Sequence, residues 1–336
     1  VLTMASLSAI PFIIMSIAII VQGGDAGNTW SVFDPGQTNA HAVFTGILFA
    51  ILLFVGFEAA ASIAEEMHAP RKQVPVAIIG TVLICACFYL LVCYAATIGF
   101  GKVALGHNAW GGSPDAMGVL AQRYVGSWLS VLVDLGVIFD ALSLGIAIMV
   151  TSSRLFFAFA RDGLLPKWIA KTSRYNTPLA GNLILVGWGG IILIWTAVTP
   201  YAPTGLGRDL VTFGISADAG SFLVETIYVF LGIFALRIVW TEFHGVWPRV
   251  WRLIAVGVGI AAPILAFYGS LSPFPPEPTA QAVWIWIAFG VLSLIWLMWL
   301  IRKRPAQVRA AAAYADASPE PEAAGAARAQ PGLARG

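Results

Sequence analysis

Charge is what this sequence has least of. Asp, Glu, Lys and Arg together make up 11% of its 336 residues, against about 25% in a soluble globular domain. So few ionic groups cannot clothe a water-facing surface of this size, which excludes a soluble fold. Cysteine is also scarce: Cys85, Cys87 and Cys93 all fall in one apolar run. That placement suits reduced thiols packed among helices and lipid, and excludes a disulfide framework. A Cys-x-Cys pair with no nearby loop His or acid is a poor metal site. His41, His68, His107 and His244 fall in expected loops and make no ligand or triad spacing with acids or cysteines. No His-Glu-x-x-His, Gly-x-Ser-x-Gly or phosphate-cradling glycine loop occurs. These absences disfavour an enzyme, a metal centre and a bound cofactor. The net charge of +2 is too small to point to nucleic acid. The first apolar run opens at Val1 with no charged segment before it, unlike a cleaved secretory signal.

Long apolar runs are what the chain has instead. Hydrophobic residues make up 59% of it, and the mean hydropathy is +0.82. A helix needs about 20 mainly apolar residues to cross the hydrocarbon core. Eight runs qualify: residues 1–21, 43–64, 74–100, 128–159, 179–198, 210–238, 253–271 and 283–301. The fold class is therefore an all-α integral membrane protein, a helical bundle of about eight spans. Trp30, Trp128, Trp251 and Trp299 stand near span ends, where aromatic belts form. Pro114 to Tyr124, in the loop after span three, has the pattern of a short helix capping the outer face. The membrane domain is expected over residues 1–304. The Ala-, Pro-, Glu- and Gly-rich segment 305–336 reads as a disordered cytoplasmic tail.

Acids within spans are expensive, so each is a functional candidate. Glu58 follows Gly56 and Phe57 in the middle of span two and precedes the small run Ala59-Ala60-Ala61-Ser62. A helix broken there is tolerated only where it lines a cavity, and half-helix ends at such breaks hold substrate groups. The alternative is a Glu that pairs with a polar neighbour and steadies a bend. In span four Asp140 and Ser143 are three residues apart and share a helical face, a carboxylate and hydroxyl suited to a proton or small cation. Asp140 reads equally as a hydrated group near the outer interface, and for Asp134 the hydrated reading is preferred. Span six carries Gly214, Asp218, Ser221 and Glu225 as one polar stripe. Such a stripe faces the bundle interior or water, as a proton-coupling or gating group requires, or forms a structural hydrogen-bonded pair.

Two stretches are more specific. Gly56-Phe57-Glu58-Ala59-Ala60 leads through Glu65-Glu66-Met67-His68-Ala69-Pro70-Arg71-Lys72 to Val74-Pro75-Val76-Ala77-Ile78. It resembles the sixth helix and following cytoplasmic loop of the amino acid–polyamine–organocation (APC) superfamily of permeases. Ser153-Arg154-Leu155, then Ala160-Arg161-Asp162-Gly163-Leu164-Leu165-Pro166 and Asn176-Thr177-Pro178, resembles that superfamily's signature at the cytoplasmic end of helix eight.

The resemblance covers nearly the whole chain and implies helices five to twelve of an inverted-repeat, leucine-transporter-like fold. It implies a secondary transporter of amino acids or related amines, working by alternating access and driven by protons or by an exchanged solute. Gly56, Phe57 and Glu58 would line the helix-six break at the substrate site, and Ser143 would match a small hydroxyl position in helix eight. Asp140, Asp218 and Glu225 remain coupling or gating candidates. Counterparts of helices one to four are absent, and so is the lysine that some proton-coupled relatives carry in helix five. The expectation is a truncated permease, with a non-transporting membrane remnant or scaffold as the alternative.

Orientation follows from the basic residues in short loops. One set of loops and ends holds Arg71, Lys72, Arg161, Lys167, Lys171, Arg174, Arg237, Arg249, Arg252, Arg302, Lys303, Arg304 and Arg309; the opposite set holds Lys102, Arg123 and Arg208. The C-terminus is thus expected on the cytoplasmic face of the cell membrane. A C-terminal fluorescent-protein fusion should fluoresce in cells and a C-terminal alkaline-phosphatase fusion should be inactive; the reverse pattern contradicts this orientation.

Overall fold

The computed structural model describes residues 2–34, 36, 38–57, 70–101, 113, 115–174, 177–199, 207–242 and 246–316. Among the described residues, ten α-helices follow in order: α1 (Leu2–Gln22), α2 (Ala40–Phe54), α3 (Pro70–Phe100), α4 (Ala116–Tyr124), α5 (Ser127–Arg161), α6 (Leu179–Val198), α7 (Arg208–Glu242), α8 (Val246–Leu271), α9 (Ala280–Lys303) and α10 (Pro305–Asp316). Each of the eight expected apolar runs contains a helix among the described residues. Six are long and apolar enough to cross a membrane, while Ser6–Gln22 and Ala40–Phe54 are shorter apolar segments. Large apolar side chains stay exposed along them, such as Leu83 at 60%, Leu193 at 72% and Leu292 at 61%. Lipid is the solvent that accepts such a surface.

The helices fall into two compact units, Val1–Ser152 with Asn182–Gly290, and Ser153–Gly181 with Val291–Gly336. The first unit holds two cores. In one, Met15 and Ile19 of α1 meet Ala95, Ala96 and Ile98 of α3, Leu120 and Ala121 of α4, and Leu129 and Val133 of α5. The expected loop helix is α4, started by Asp115, whose carboxylate accepts the Gly118 N–H at 2.9 Å. It is tied down by Arg123, paired with Asp25 at 2.6 Å, and by Tyr124, whose hydroxyl donates to the Gly99 carbonyl at 2.9 Å. Burial, reinforced by the Asp25 carboxylate, holds the Tyr124 hydroxyl above the ordinary phenol range, so it remains a donor.

The second core joins Leu48 of α2, Ile215, Ala219 and Phe222 of α7, Ala266 of α8, and Ala282 and Val283 of α9. Here α2 and α8 come close enough to touch backbone to backbone. A Cβ on Gly269 would lie 2.5 Å from the Thr45 amide nitrogen, and the Thr45 hydroxyl donates to the Gly269 carbonyl at 3.0 Å. Gly232 of α7 similarly leaves room for Ile260 of α8.

In the second unit α5 ends at Arg161 and the chain turns through Gly163, at φ +79°. The Leu164 N–H reaches back to the Phe159 carbonyl at 2.9 Å. Arg304 then donates to the Gly163 carbonyl at 2.8 Å, and the Trp296 indole donates to the Leu164 carbonyl at 3.3 Å. The Arg-Asp-Gly-Leu-Leu-Pro stretch singled out in the sequence is thus a helix-ending turn whose carbonyls are capped by α9 and the residue after it.

Two expectations change. Span two was drawn to residue 64 with a break expected at Gly56–Glu58; α2 stops at Phe54, two residues earlier, where Val55 takes φ −56°, ψ 130° and Gly56 takes φ +114°, and residues 58–64 lie outside the described residues. Apolarity measures lipid solubility and does not register a backbone turn. The segment 305–336 was expected to be structureless, but residues 305–316 form a helix. Pro305 is preorganised for a first helical position, and the alanines that follow have the highest helix propensity; low hydrophobicity excluded a core, not a helix.

Two glycine substitutions test this packing. Gly269→Ala should destabilise the purified protein by roughly 1–3 kcal/mol, because the α2–α8 contact has no room for a methyl. Gly56→Ala should cost a similar amount, of order 1–3 kcal/mol, through its positive φ. Gly46→Ala, which meets open space within α2, should be neutral or stabilising. Thermal unfolding in detergent measures all three, and equal melting temperatures would contradict the packing described.

Candidate functional site

The break in α2 opens onto a cavity of about 340 Å³ lined by Ile47, Ala50, Ile51, Phe54 and Phe57, by Tyr228 of α7, and by Gly259, Ala262 and Pro263 of α8. At the break itself the helical ladder gives way to tighter turns: Val55 N–H to Leu52 carbonyl at 3.2 Å and Phe57 N–H to Phe54 carbonyl at 3.4 Å. The Phe57 ring faces the Tyr228 ring at 6.1 Å. Opposite them Pro263 lies inside α8, and having no N–H it cannot bond back to the Gly259 carbonyl. The wall is therefore mostly apolar, with an aromatic pair and a backbone carbonyl whose helical donor is missing. Glu58, the acid at the centre of the sequence argument, lies outside the described residues, as do His68 and the rest of the loop motif up to Ala69.

A second cavity, about 290 Å³, lies toward the start of α2. His41, Thr45, Leu48 and Phe49 line it from α2, Asp218 and Phe222 from α7, Gly269 and Ser270 from α8, and Pro273, Phe274, Pro275, Pro276, Thr279 and Val283 from the following turn and α9. This one is more polar: an imidazole, three hydroxyls and the Asp218 carboxylate are part of its lining.

The α7 stripe runs between the two cavities. Asp218 is half-buried and opens on the His41 cavity. One turn on, Ser221 is 1% exposed and its hydroxyl donates to the Ala217 carbonyl at 2.9 Å. Glu225 is 0% exposed, and neither of its carboxylate oxygens has a hydrogen-bond partner among the described residues. Tyr228 closes the stripe on the Phe57 cavity. An aromatic cluster walls this stretch: Phe222 lies 5.6 Å from Phe267 and 5.8 Å from Trp286. The Trp286 indole donates to the Thr226 hydroxyl at 3.0 Å, which itself donates to the Phe222 carbonyl at 2.7 Å.

The candidates in α5 are not brought together. Ser143 is 3% exposed and its hydroxyl has no partner among the described residues, whereas the Asp140 side chain is exposed, as is that of Asp134. Helical spacing of three put Asp140 and Ser143 on adjoining positions but did not say where the edge of the packed face runs. Two residues that the sequence reading passed over, Tyr228 and Pro263, now join the site, as does His41, expected in a loop but found in the first turn of α2. Tyr228 was visible as the next step of the Gly214–Glu225 period, and Pro263 as a proline inside an apolar span. His41 gave no signal, since nothing local to it marks the mouth of a cavity.

Comparison with known proteins finds transporters. A branched-chain amino acid permease of Lactococcus lactis is 28% identical, over 58% of this chain and 38% of that protein. A methylthioribose transporter of Bacillus subtilis is 29% identical, over 83% of this chain and 57% of that protein. A glutamate/gamma-aminobutyrate antiporter of Lactococcus lactis is 25% identical, over 74% of this chain and 48% of that protein. The chain spans about half the length, or less, of two of these and somewhat more of the third. A family model described as amino acid permease matches residues 1–299. An all-helical membrane bundle that this family model matches along almost all of its length, the chain belongs to the amino acid permease family.

Proposed function

We propose that this protein acts in secondary active transport of amino acids or related amines across the cell membrane, with its C-terminus in the cytoplasm. The observation that carries the reading is the end of α2 at Phe54 in a turn over Val55–Phe57, beside a cavity shared with α7 and α8. Inside a bilayer, non-helical backbone is stable only where protein or a water-filled cavity supplies its hydrogen bonds. Half-helix ends of this kind place N–H and C=O groups where an amino acid presents its carboxylate and ammonium. A volume of about 340 Å³ is at the small end of the range for ligand pockets, roughly 300–1,000 Å³, and suits a solute the size of an amino acid. Gly56 supplies the turn, Phe57 with Tyr228 a gate of two rings over the cavity, and Glu58 a carboxylate toward the substrate's ammonium. Ser143 is a candidate hydroxyl on α5. The work is relocation of a solute, with no bond made or broken, which is transport and not catalysis. Alternating access requires the two cavities along α7 to open in turn, driven by protons or an exchanged solute.

Uptake of radiolabelled solutes into proteoliposomes tests the reading. Saturable uptake or exchange is expected for at least one member of a panel of amino acids and amines. Phe57→Ala should lower it by about tenfold or more, equivalent to losing some 1.4 kcal/mol of interaction. A panel on which neither uptake nor exchange rises above empty liposomes overturns it.

A further inference from the structure

The carboxylate of Glu225 is fully buried, 0% exposed, and both its oxygens lack a hydrogen-bond partner among the described residues. An ionised carboxylate in such a place would be a bare charge in a medium of low dielectric constant, which is far more costly than a neutral acid there. It is also placed between two cavities. Asp218 and Phe222 of the same helix line the cavity toward the start of α2, and Tyr228 lines the one at the α2 break. Along a helix rising 1.5 Å per residue, Glu225 lies about 10 Å from Asp218 and about 5 Å from Tyr228, on the same face as both. Glu225 lines neither cavity and so sits in the closed stretch between them.

The surroundings hold little that could neutralise it by pairing. On α2 the titratable residue described is His41, exposed at the cavity mouth. On α8 they are Arg249, Arg252 and Tyr268; Arg249 stacks on Trp240 at 5.4 Å, and Tyr268 packs on Phe44 at 6.0 Å. The half of α9 in this unit, Ala280–Gly290, has none, and offers Trp286 to Thr226. On α7 itself the neighbours along the stripe are Asp218 and Tyr228. A partner cation on the facing helices, which would make Glu225 one half of a structural ion pair, is therefore lacking among the described residues.

We propose that Glu225 is a proton-binding site, loaded through the Asp218 cavity and unloaded through the Phe57–Tyr228 cavity as the two open in turn. This deepens the transport reading and rests on it for the meaning of the two sides. In the step, water in the first cavity, with Asp218 as the carboxylate at its inner wall, delivers one proton to a Glu225 oxygen. The bound proton neutralises the site and lets the buried stretch close. Water in the second cavity removes it. No electron moves, and the protein returns to its starting charge. Neutral Glu225 matches the closed arrangement, so the site couples protonation to which cavity is open.

Infrared difference spectroscopy on the purified protein reads the site directly. At neutral pH the wild type should show the C=O band of a protonated carboxylic acid that Glu225→Gln removes, Asp218→Asn leaves in place, and Glu225→Asp retains at a shifted frequency. A Glu225→Gln spectrum with the band unchanged means that Glu225 is ionised and overturns the proposal. In proteoliposomes a gradient of one pH unit drives at most about tenfold accumulation per coupled proton. Glu225→Gln should abolish that gradient response while keeping substrate counterflow. A gradient response that survives in Glu225→Gln, or that follows sodium and not protons, also overturns it. Absence of any solute flux in the wild type would instead count against the transport reading, and the infrared result would still decide the proton site.

Discussion

Everything distinctive in this protein depends on one constraint: inside a bilayer, a backbone group that leaves its helix must find another partner. At Val55–Phe57 the chain leaves the helix, with Gly56 at φ +114°. Such a break in a lipid-facing helix would cost several kcal/mol for each unbonded group. It is tolerated because α7 and α8 cover it. Their approach rests on small residues at the contacts, Gly269 against the backbone of α2 and Gly232 against Ile260. The close backbone contact and the open cavity beside it are two results of the same packing.

The second consequence is electrostatic. A helix running behind the break offers one face to the bundle interior, and on that face α7 carries Asp218, Ser221, Glu225 and Tyr228. Where the face meets a cavity, as at Asp218, a polar group can be hydrated. Where the face is closed, as at Glu225, the same chemistry becomes a buried acid without a partner among the described residues. One helix therefore contains both kinds of carboxylate site, a wet one and a dry one, two turns apart.

Much of this was legible in the sequence because membrane spans and a polar stripe are periodic signals set by local composition. The eight helices, the short α4 helix and the Gly214–Glu225 stripe are all of that kind. The site's boundaries were less legible. Apolarity continued past Phe54, and although Gly56 marked a break, the exact end of α2 came from the backbone turn at Val55 and Gly56. Asp140 and Ser143 looked like a pair at helical spacing, yet one is exposed and the other buried, since spacing defines angular position and not what lies opposite. Pro305–Asp316 was judged by its lack of hydrophobic residues, though an alanine-rich segment behind a proline needs no core to be helical.

The central claim is that the α2 break faces a water-reachable, solute-sized cavity and not lipid. Its most direct test is the reactivity of a single cysteine at position 57, in a background where Cys85, Cys87 and Cys93 are replaced by alanine. The account predicts that Phe57→Cys reacts with a charged, water-soluble thiol reagent in membranes, and that a transported solute slows the reaction. Resistance to that reagent, together with ready labelling by a lipid-soluble maleimide, would place the break against lipid and contradict it.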